Sequence, residues 1–284
     1  MNNKNSTKGR VGKAVCYAAL VLIAVILLFP YLFMINRGLM SNEYVIQPKT
    51  RFFPDGIHFE NFLLAFREGG YRSPLLNSII VSAVVTISVP FSSFVAAYAF
   101  ARLEFVGKKF LFSFMMLTIL LPAIVTQVPM YVLYNDLRLT NTLSPLFLPG
   151  LFFGGAMNVF LCRQFLLGIP KALEESAILD GAGAVRRCFS ICAPLCMPIL
   201  IYLSVTAFIG VWGDYLTPSM YNNSSEAPYT LAYALYKMTS SETNSRHPEW
   251  IFAAATITSL VPVVLYSVFQ KYLVEGIAVT GLKG

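Results

Sequence analysis

The sequence predicts an all-α membrane protein with six transmembrane helices, and three observations lead to this fold class. The 284 residues are 56% apolar and only 12% charged, about half the charge of a soluble domain. Several apolar runs exceed the roughly 18 residues that cross a bilayer core. These runs are continuously apolar, whereas apolar and polar residues alternate along each strand of a membrane β-barrel. The predicted spans are 14–36, 76–100, 110–131, 146–167, 197–216 and 250–272.

The first span resembles an export signal because Lys4, Lys8, Arg10 and Lys13 precede it. Its length argues against removal, since a signal core has about 7 to 15 apolar residues. No small-residue cleavage site follows Phe29-Pro30-Tyr31. We therefore expect a retained helix behind an N-terminal tail at 1–13.

Basic residues predict the orientation of the chain, because they concentrate in cytoplasmic loops. Alternate loops, counted from the N-terminus, carry 13 Lys and Arg on one side and 8 on the other. Both tails, 1–13 and 273–284, are therefore predicted to be cytoplasmic. The core domain, 76–272, follows an external loop at 37–75 and contains a second at 217–249. The net charge of +7 then faces an inner leaflet rather than nucleic acid.

The five cysteines permit two interpretations. Cys188, Cys192 and Cys196 share one helical face with a spacing that can hold a soft metal. Both histidines, however, lie in the external loops. We favour small side chains filling helix contacts, and expect neither a metal site nor disulfides.

Proline and hydroxyl residues suggest kinked, closely packed helices. Serine and threonine crowd the second span, which predicts hydrogen bonds to another helix. Prolines inside spans remove a backbone donor and are expected to bend their helices. These prolines are Pro90, Pro122, Pro129, Pro198 and Pro262.

The external loops carry weaker signals. Prolines and glycines interrupt 37–75, which we interpret as an amphipathic connector in preference to a docking surface. In the second loop, 229–238 is expected to form a short interfacial helix.

The segment 168–194, on the predicted cytoplasmic side, is too polar for a span. Pro170 suits a first helical turn, and Glu174 and Glu175 favour its positive end. Gly181 is suited to terminating the helix. We therefore predict a short cytoplasmic helix with an apolar stripe, whose acidic residues face a basic partner. The stripe comprises Leu173, Ala177 and Ile178, and the acids are Glu174, Glu175 and Asp180.

This segment resembles the EAA loop of ABC importer permeases. The resemblance rests on Glu175-Ser-Ala177, then Gly181, Ile191 and Pro194 at the family's spacing. Ser176 and Ala193 depart from the usual alanine and leucine. In that family the loop is a coupling helix that docks into an ATPase subunit. The resemblance therefore implies that Glu175, Ala177 and Gly181 are coupling positions, with Glu174 and Asp180 as additions.

The rest of the chain is similar to the maltose-type carbohydrate permeases over nearly its full length. This resemblance implies a six-helix permease of a type I importer in the bacterial cytoplasmic membrane. It also implies a second permease subunit, two ATPase subunits and an external solute-binding protein as partners. ATP and Mg²⁺ would reside on the ATPase, so no cofactor is expected in this chain. The matching stretches are Phe29-Pro30, 76–78, 97–103, 164–165, 169–170, 212–214 and 281–284. Gly213 departs from the usual asparagine.

Five residues are candidates for a substrate pathway, each with a simpler interpretation. Trp212 and Tyr215 can stack on sugar rings, or mark the membrane interface. Asp214 is costly in lipid and suits a hydrogen-bond acceptor at a helix end. Gln127 and Asn158 are polar within spans and can bond neighbouring helices.

Other functional classes fit less well. An intramembrane metalloprotease needs a His-Glu-x-x-His pattern, and an aspartyl protease needs a second carboxylate within a span. Neither is present in the sequence. A secondary transporter or channel remains the alternative, distinguished by whether an ATPase binds residues 174–181.

Overall fold

The structure, a computed structural model, describes residues 4–47, 52–222, 224, 226–239 and 247–281. Parts of both predicted tails (1–3 and 282–284) and most of the loop 239–248 lie outside these residues. The described chain forms fifteen α-helices: α1 (Lys4–Gly38), α2 (Asn42–Ile46), α3 (Glu60–Arg67), α4 (Arg72–Arg102), α5 (Lys108–Leu117), α6 (Ala123–Asp136), α7 (Ser144–Leu151), α8 (Ala156–Gly168), α9 (Ala172–Leu179), α10 (Ala184–Arg186), α11 (Ala193–Leu195), α12 (Met197–Trp212), α13 (Leu216–Tyr221), α14 (Leu231–Thr239) and α15 (Pro248–Gly281). A 3₁₀ turn spans Thr118–Leu120 and a π-helical segment spans Arg187–Cys192.

Four described helical stretches are long and apolar enough to cross a membrane: 12–38, 72–102, 144–168 and 248–273. Two bent pairs, 108–120 with 123–136 and 184–195 with 197–212, raise the number to six if each is one span. The described residues thus form an all-helical chain with four to six candidate spans, as the fold class predicted.

The stretch predicted as the third span, 110–131, is not one straight helix. It bends by 104° between the 3₁₀ turn and α6. The cause is Pro122, which disfavours helical geometry in the residue before it; Leu121 is accordingly extended, with φ −79° and ψ 118°. Pro198 lies in the first turn of α12, just after a 78° bend. Pro90, Pro129 and Pro262, by contrast, lie inside helices that continue past them.

The chain divides into two compact units, Met1–Tyr71 with Lys237–Ser259, and Arg72–Tyr236 with Leu260–Gly284. In the first unit, buried Asn61 donates to the carbonyls of Gly38 and Met40, at 3.0 and 2.8 Å. These bonds satisfy carbonyl groups at the end of α1. A Cβ on Gly38 would lie 3.0 Å from the backbone nitrogen of Ala253, so α1 and α15 approach closely here.

The second unit is organised around α4, which packs against α7, α8 and α12. One face of α4 joins a core that includes Phe94, Tyr98, Leu166 and Leu203. Nearer its start, Val81, Val85 and Val89 form a second apolar cluster. The helices of this unit therefore pack around one central helix, α4.

Serines on α4 hold the break between α7 and α8, which confirms the predicted hydrogen bonding of this span to its neighbours. Ser93 Oγ donates to the carbonyl of Phe153 at 3.0 Å, and the Phe153 amide donates to Ser92 Oγ at 2.9 Å. Phe153, Gly154 and Gly155 all have positive φ. At Gly154 a Cβ would lie 2.8 Å from Val89, so glycine is required both for its backbone and for its packing.

We predict that Gly154→Ala lowers the free energy of unfolding by about 2 kcal/mol, because it adds left-handed backbone strain to a steric contact. Thermal unfolding of the detergent-solubilised protein, followed by intrinsic fluorescence, measures this. The control is Gly168→Ala at the end of α8, where a Cβ meets no atom within 4 Å. Equal melting temperatures for both variants would contradict the assigned constraint.

Candidate functional site

The short helix α9 forms where the acidic segment predicted one. Glu174 and Glu175 lie in its first turn, where negative charge is stabilised by the helix dipole. At its end the Ala182 amide donates to the Ala177 carbonyl and the Gly181 amide to that of Ile178, at 2.8 and 2.9 Å. This is a Schellman motif, which requires a left-handed residue. Gly181 supplies it with φ +78°, confirming its predicted role in ending the helix.

A buried ion pair ties α9 to the end of α4. Arg102 Nε lies 2.5 Å from Glu174 Oε1, and the two side chains are only 5% and 6% exposed. The guanidinium also donates from Nη2 to the carbonyls of Leu166 and Ile169, at 2.9 and 2.8 Å. One arginine therefore joins the last turn of α4, the end of α8 and the first turn of α9.

The burial of Glu174 corrects the expectation that it offers its charge to a partner. Its second oxygen accepts a hydrogen bond of 3.1 Å from the Tyr98 hydroxyl, which is itself buried. The Cys192 thiol, from the π-helical segment, is a further neighbour of this carboxylate. Sequence reasoning predicted no role for Arg102, because it lies 72 residues from Glu174 and no local pattern links the two.

The opposite face of α9 is exposed and largely apolar. Glu175 and Asp180 lie on it, as expected for charges that face a partner. Leu179 is 89% exposed and Val185, just beyond the helix, is 73% exposed. The predicted stripe is also corrected: Ala177 packs inward, whereas Leu173 and Ile178 are about half exposed. The inward positions are Glu174 and Ala177, three residues apart on one helical face.

The candidate pathway residues around α13 have different environments. Asp214 accepts hydrogen bonds from the amides of Leu216 and Thr217 through Oδ1, at 3.0 and 3.1 Å. It is thus the cap of α13, matching the simpler interpretation of its role. Trp212 is buried, with its ring stacked on Phe208 at 5.2 Å. Its ring is therefore not presented at the surface of the chain, as sugar stacking would require.

The two amide candidates within spans do not meet. Asn158 lies in the first turn of α8 and donates to the Phe153 carbonyl at 2.9 Å, so it stabilises the break before its own helix. Gln127 is half-buried in α6. Neither amide contacts the α13 residues in the described hydrogen bonds.

Tyr215, in contrast, is half exposed and begins a row of tyrosines. Its ring stacks on Tyr236 with centroids 5.1 Å apart. Tyr233 lies 6.2 Å from Tyr236 and 5.9 Å from Tyr229. The last three belong to α14 or precede it by two residues, within the predicted interfacial helix. The sequence did not place this row beside Tyr215, because α14 approaches α13 only through the fold.

Four of the cysteines lie in the apolar core of the second unit: Cys162, Cys188, Cys192 and Cys196. They pack with residues of α4 and α12, which is the interpretation favoured above. Within the described ranges, no group of three or more His, Cys, Asp or Glu is placed to hold a metal ion.

This chain belongs to the family of binding-protein-dependent transport system inner membrane components, which its residues 88–279 match. It is a multi-pass membrane permease component and not an enzyme, as its relatives are permease proteins. The matched range contains α9 and its ion pair with α4.

Relatives in this family match nearly the whole chain. The arabinooligosaccharides transport system permease protein of Halalkalibacterium halodurans is 31% identical over 92% of this chain and 93% of its own. The maltodextrin transport system permease protein of Streptococcus pneumoniae is 29% identical over the full length of both. A crystal structure of a bacterial ABC transporter involved in alginate import gives a TM-score of 0.78. The match is 21% identical in sequence and covers 93% of this chain and 97% of the other.

We predict that Glu174→Gln destabilises the protein by about 3 kcal/mol, because it leaves the buried Arg102 guanidinium without its counter-charge. The matched control is the double variant Arg102→Met/Glu174→Leu, which removes both charges and should recover most of the loss. Thermal unfolding of the wild-type protein and both variants in detergent measures the loss and its recovery. A double variant no more stable than the single one would contradict the assignment of the Arg102–Glu174 pair as the contact that holds α9 to α4.

Proposed function

We propose that this chain is the permease subunit of an ATP-driven importer, and that α9 is the helix through which a separate ATPase moves it. The observation that carries the proposal is the two-sided character of α9. Its inner side is fixed to α4 by the Arg102–Glu174 pair, while its outer side presents Glu175 and Leu179, with Val185 of α10 exposed just beyond it. An exposed apolar patch with charges at its edge is typical of a protein interface.

The partners follow from the same proposal. The ATPase supplies a groove for α9 with arginine or lysine opposite Glu175 and Asp180, and it alone carries ATP and Mg²⁺. A second, related permease completes the pathway, and an external solute-binding protein delivers the solute. The α9 end of the bundle is then cytoplasmic, together with both termini. The positive charge bias of the same loops supports this orientation.

The proposed substrate is a carbohydrate, because the named relatives carry arabinooligosaccharides and maltodextrin. The tyrosine row offers suitable chemistry, since an aromatic ring presents an apolar face to sugar C–H groups and its hydroxyl can hydrogen-bond. Tyr215 and Tyr236 are each 48% exposed. Both tyrosines follow the C-terminal end of α12, whereas α9 precedes its N-terminal end. In the proposed orientation this C-terminal end faces the external side, where solute would enter.

Charge reversal at Glu175 tests the coupling role. We predict that Glu175→Lys lowers solute uptake by the reconstituted importer at least 10-fold, because a like charge then faces the basic partner. Residual ATP hydrolysis should no longer respond to the loaded binding protein. The control is Asp136→Lys, which reverses an exposed charge at the end of α6. Normal uptake in the Glu175 variant would refute the assignment.

Replacement of Tyr236 tests the carbohydrate contact. Tyr236→Ala should lower uptake about 10-fold at low solute concentration, whereas Tyr236→Phe, which keeps the stacked ring, should lose less than threefold. The readout is the concentration dependence of uptake in proteoliposomes. A loss that is unchanged at saturating solute would assign the row to assembly instead.

A further inference from the structure

A basic cavity lies at the end of α4, outside the site described above. Its volume is about 830 Å³, and its walls come from the last turn of α4, the connection to α5, the first turns of α5 and one residue of α8. All of these belong to the second compact unit. The polar lining residues are Glu104, Lys108, Lys109, Ser113 and Arg163.

The charges in this cavity do not balance. Lys108 Nζ lies 3.0 Å from Glu104 Oε1 and 2.7 Å from the Leu103 carbonyl, so these two side chains neutralise each other. Lys109 and Arg163 then leave an excess of two positive charges. An anion is the ligand that this excess favours.

The start of α5 adds to the positive potential. Helix N-termini carry a partial positive charge and normally attract acidic side chains. The first turn of α5 instead has two lysines and no acid, and its cap is Gly107, with φ +80° and no capping side chain. A bound phosphate would compensate both the helix end and the lysines.

Phenylalanines form the remaining wall. Phe100 lies 5.8 Å from Phe105 and 5.4 Å from Phe112, measured between ring centroids. The Arg163 guanidinium lies over the Phe112 ring at 4.3 Å, and its Nε donates to the Phe100 carbonyl at 3.4 Å. These two contacts hold Arg163 in the wall of the cavity. Phe110 is 72% exposed beside it.

The position of the cavity relates it to a membrane surface. It lies where the candidate span 72–102 ends and the bent pair beginning at 108 starts. Arg102 joins this end of α4 to α9, so the cavity opens at the same end of the bundle as α9. A cationic cavity bordered by exposed aromatic rings matches a headgroup phosphate above acyl chains.

We propose that this cavity binds the phosphate of an anionic phospholipid, with Lys109 and Arg163 as its principal contacts and the phenylalanines against the acyl chains. The site itself depends only on the membrane location of the chain. Its assignment to the inner leaflet rests on the function proposed for α9. A soluble phosphate compound has no acyl chain to pack against the phenylalanines, and a protein surface does not require a cavity of about 830 Å³.

The test uses the purified importer in nanodiscs of phosphatidylcholine, with a photoreactive phosphatidylglycerol as the probe. We expect crosslinking of phosphatidylglycerol within 100–113. Lys109→Gln/Arg163→Gln should reduce it on the order of 30-fold, since each of the two basic side chains near anionic lipid contributes about 1 kcal/mol. Arg163→Lys should retain most of it. The control Lys171→Gln/Arg186→Gln removes the same charge from exposed positions near α9, and should reduce crosslinking less than twofold.

Three results would overturn the proposal. Equal losses in the pocket and control variants would mean diffuse attraction to the leaflet. Displacement of the probe by millimolar glycerol phosphate would identify a site for a soluble phosphate. Absence of crosslinking in the complete importer, restored when the ATPase subunits are stripped from it, would identify a protein contact. Glu175→Lys in the same nanodiscs separates the proposals, because failed coupling with intact crosslinking leaves the lipid site standing.

Discussion

The rest of the functional half of the molecule depends on one buried interaction, the contact of the Arg102 guanidinium with Glu174. Desolvating two charges is costly, and their attraction offsets that cost only when geometry is good and the other donors are satisfied. Here Tyr98 bonds the second carboxylate oxygen, and two carbonyls accept from the guanidinium. An apolar contact would hold α9 against the bundle as well, but would tolerate sliding. Directional bonds that join α9 to α4 and, through Arg102, to the end of α8 fix its position, as the coupling role proposed for α9 requires.

The sequence predicted the parts of this arrangement that have a local cause. The membrane class follows from the length and apolarity of the runs, and the end of α9 follows from Gly181, whose left-handed backbone only glycine adopts without strain. The acidic first turn and the family spacing predicted a short helix here and, by resemblance, a coupling role for it. The inward side of that helix was not predictable, because Glu174 and Glu175 are adjacent and chemically equivalent. Only the tertiary contact with Arg102 of α4 determines which of the two glutamates is buried.

Departures from the predicted spans have a common origin in residues whose effect depends on neighbours. Pro122 breaks its helix whereas Pro90 does not. Pro90 lies on the buried, tightly packed helix α4, and contacts from three neighbours can compensate the lost hydrogen bond. The break at 152–155 is stabilised by Ser92 and Ser93, hydroxyls that a sequence pattern marks only as helix-contact residues. Tertiary packing therefore determines where a helix breaks, even where composition correctly predicts a segment long and apolar enough to cross a membrane.

The helix α4 connects the two segments on which the proposed function rests, α9 and the tyrosine row. Near its start, Ser78 Oγ accepts from the Leu231 amide at 2.8 Å, which anchors α14 and its tyrosines. At its last residue, Arg102 anchors α9. Ser78 and Arg102 lie 24 residues apart on this helix, or about 36 Å, so these anchors are separated by most of a bilayer. Displacement of α9 must therefore tilt or shift α4 as a body, because its packed sides transmit strain rather than absorb it. In the proposed importer the tyrosine row would move with α4, so that a push on α9 at one membrane surface would change the geometry of the proposed solute contact at the other.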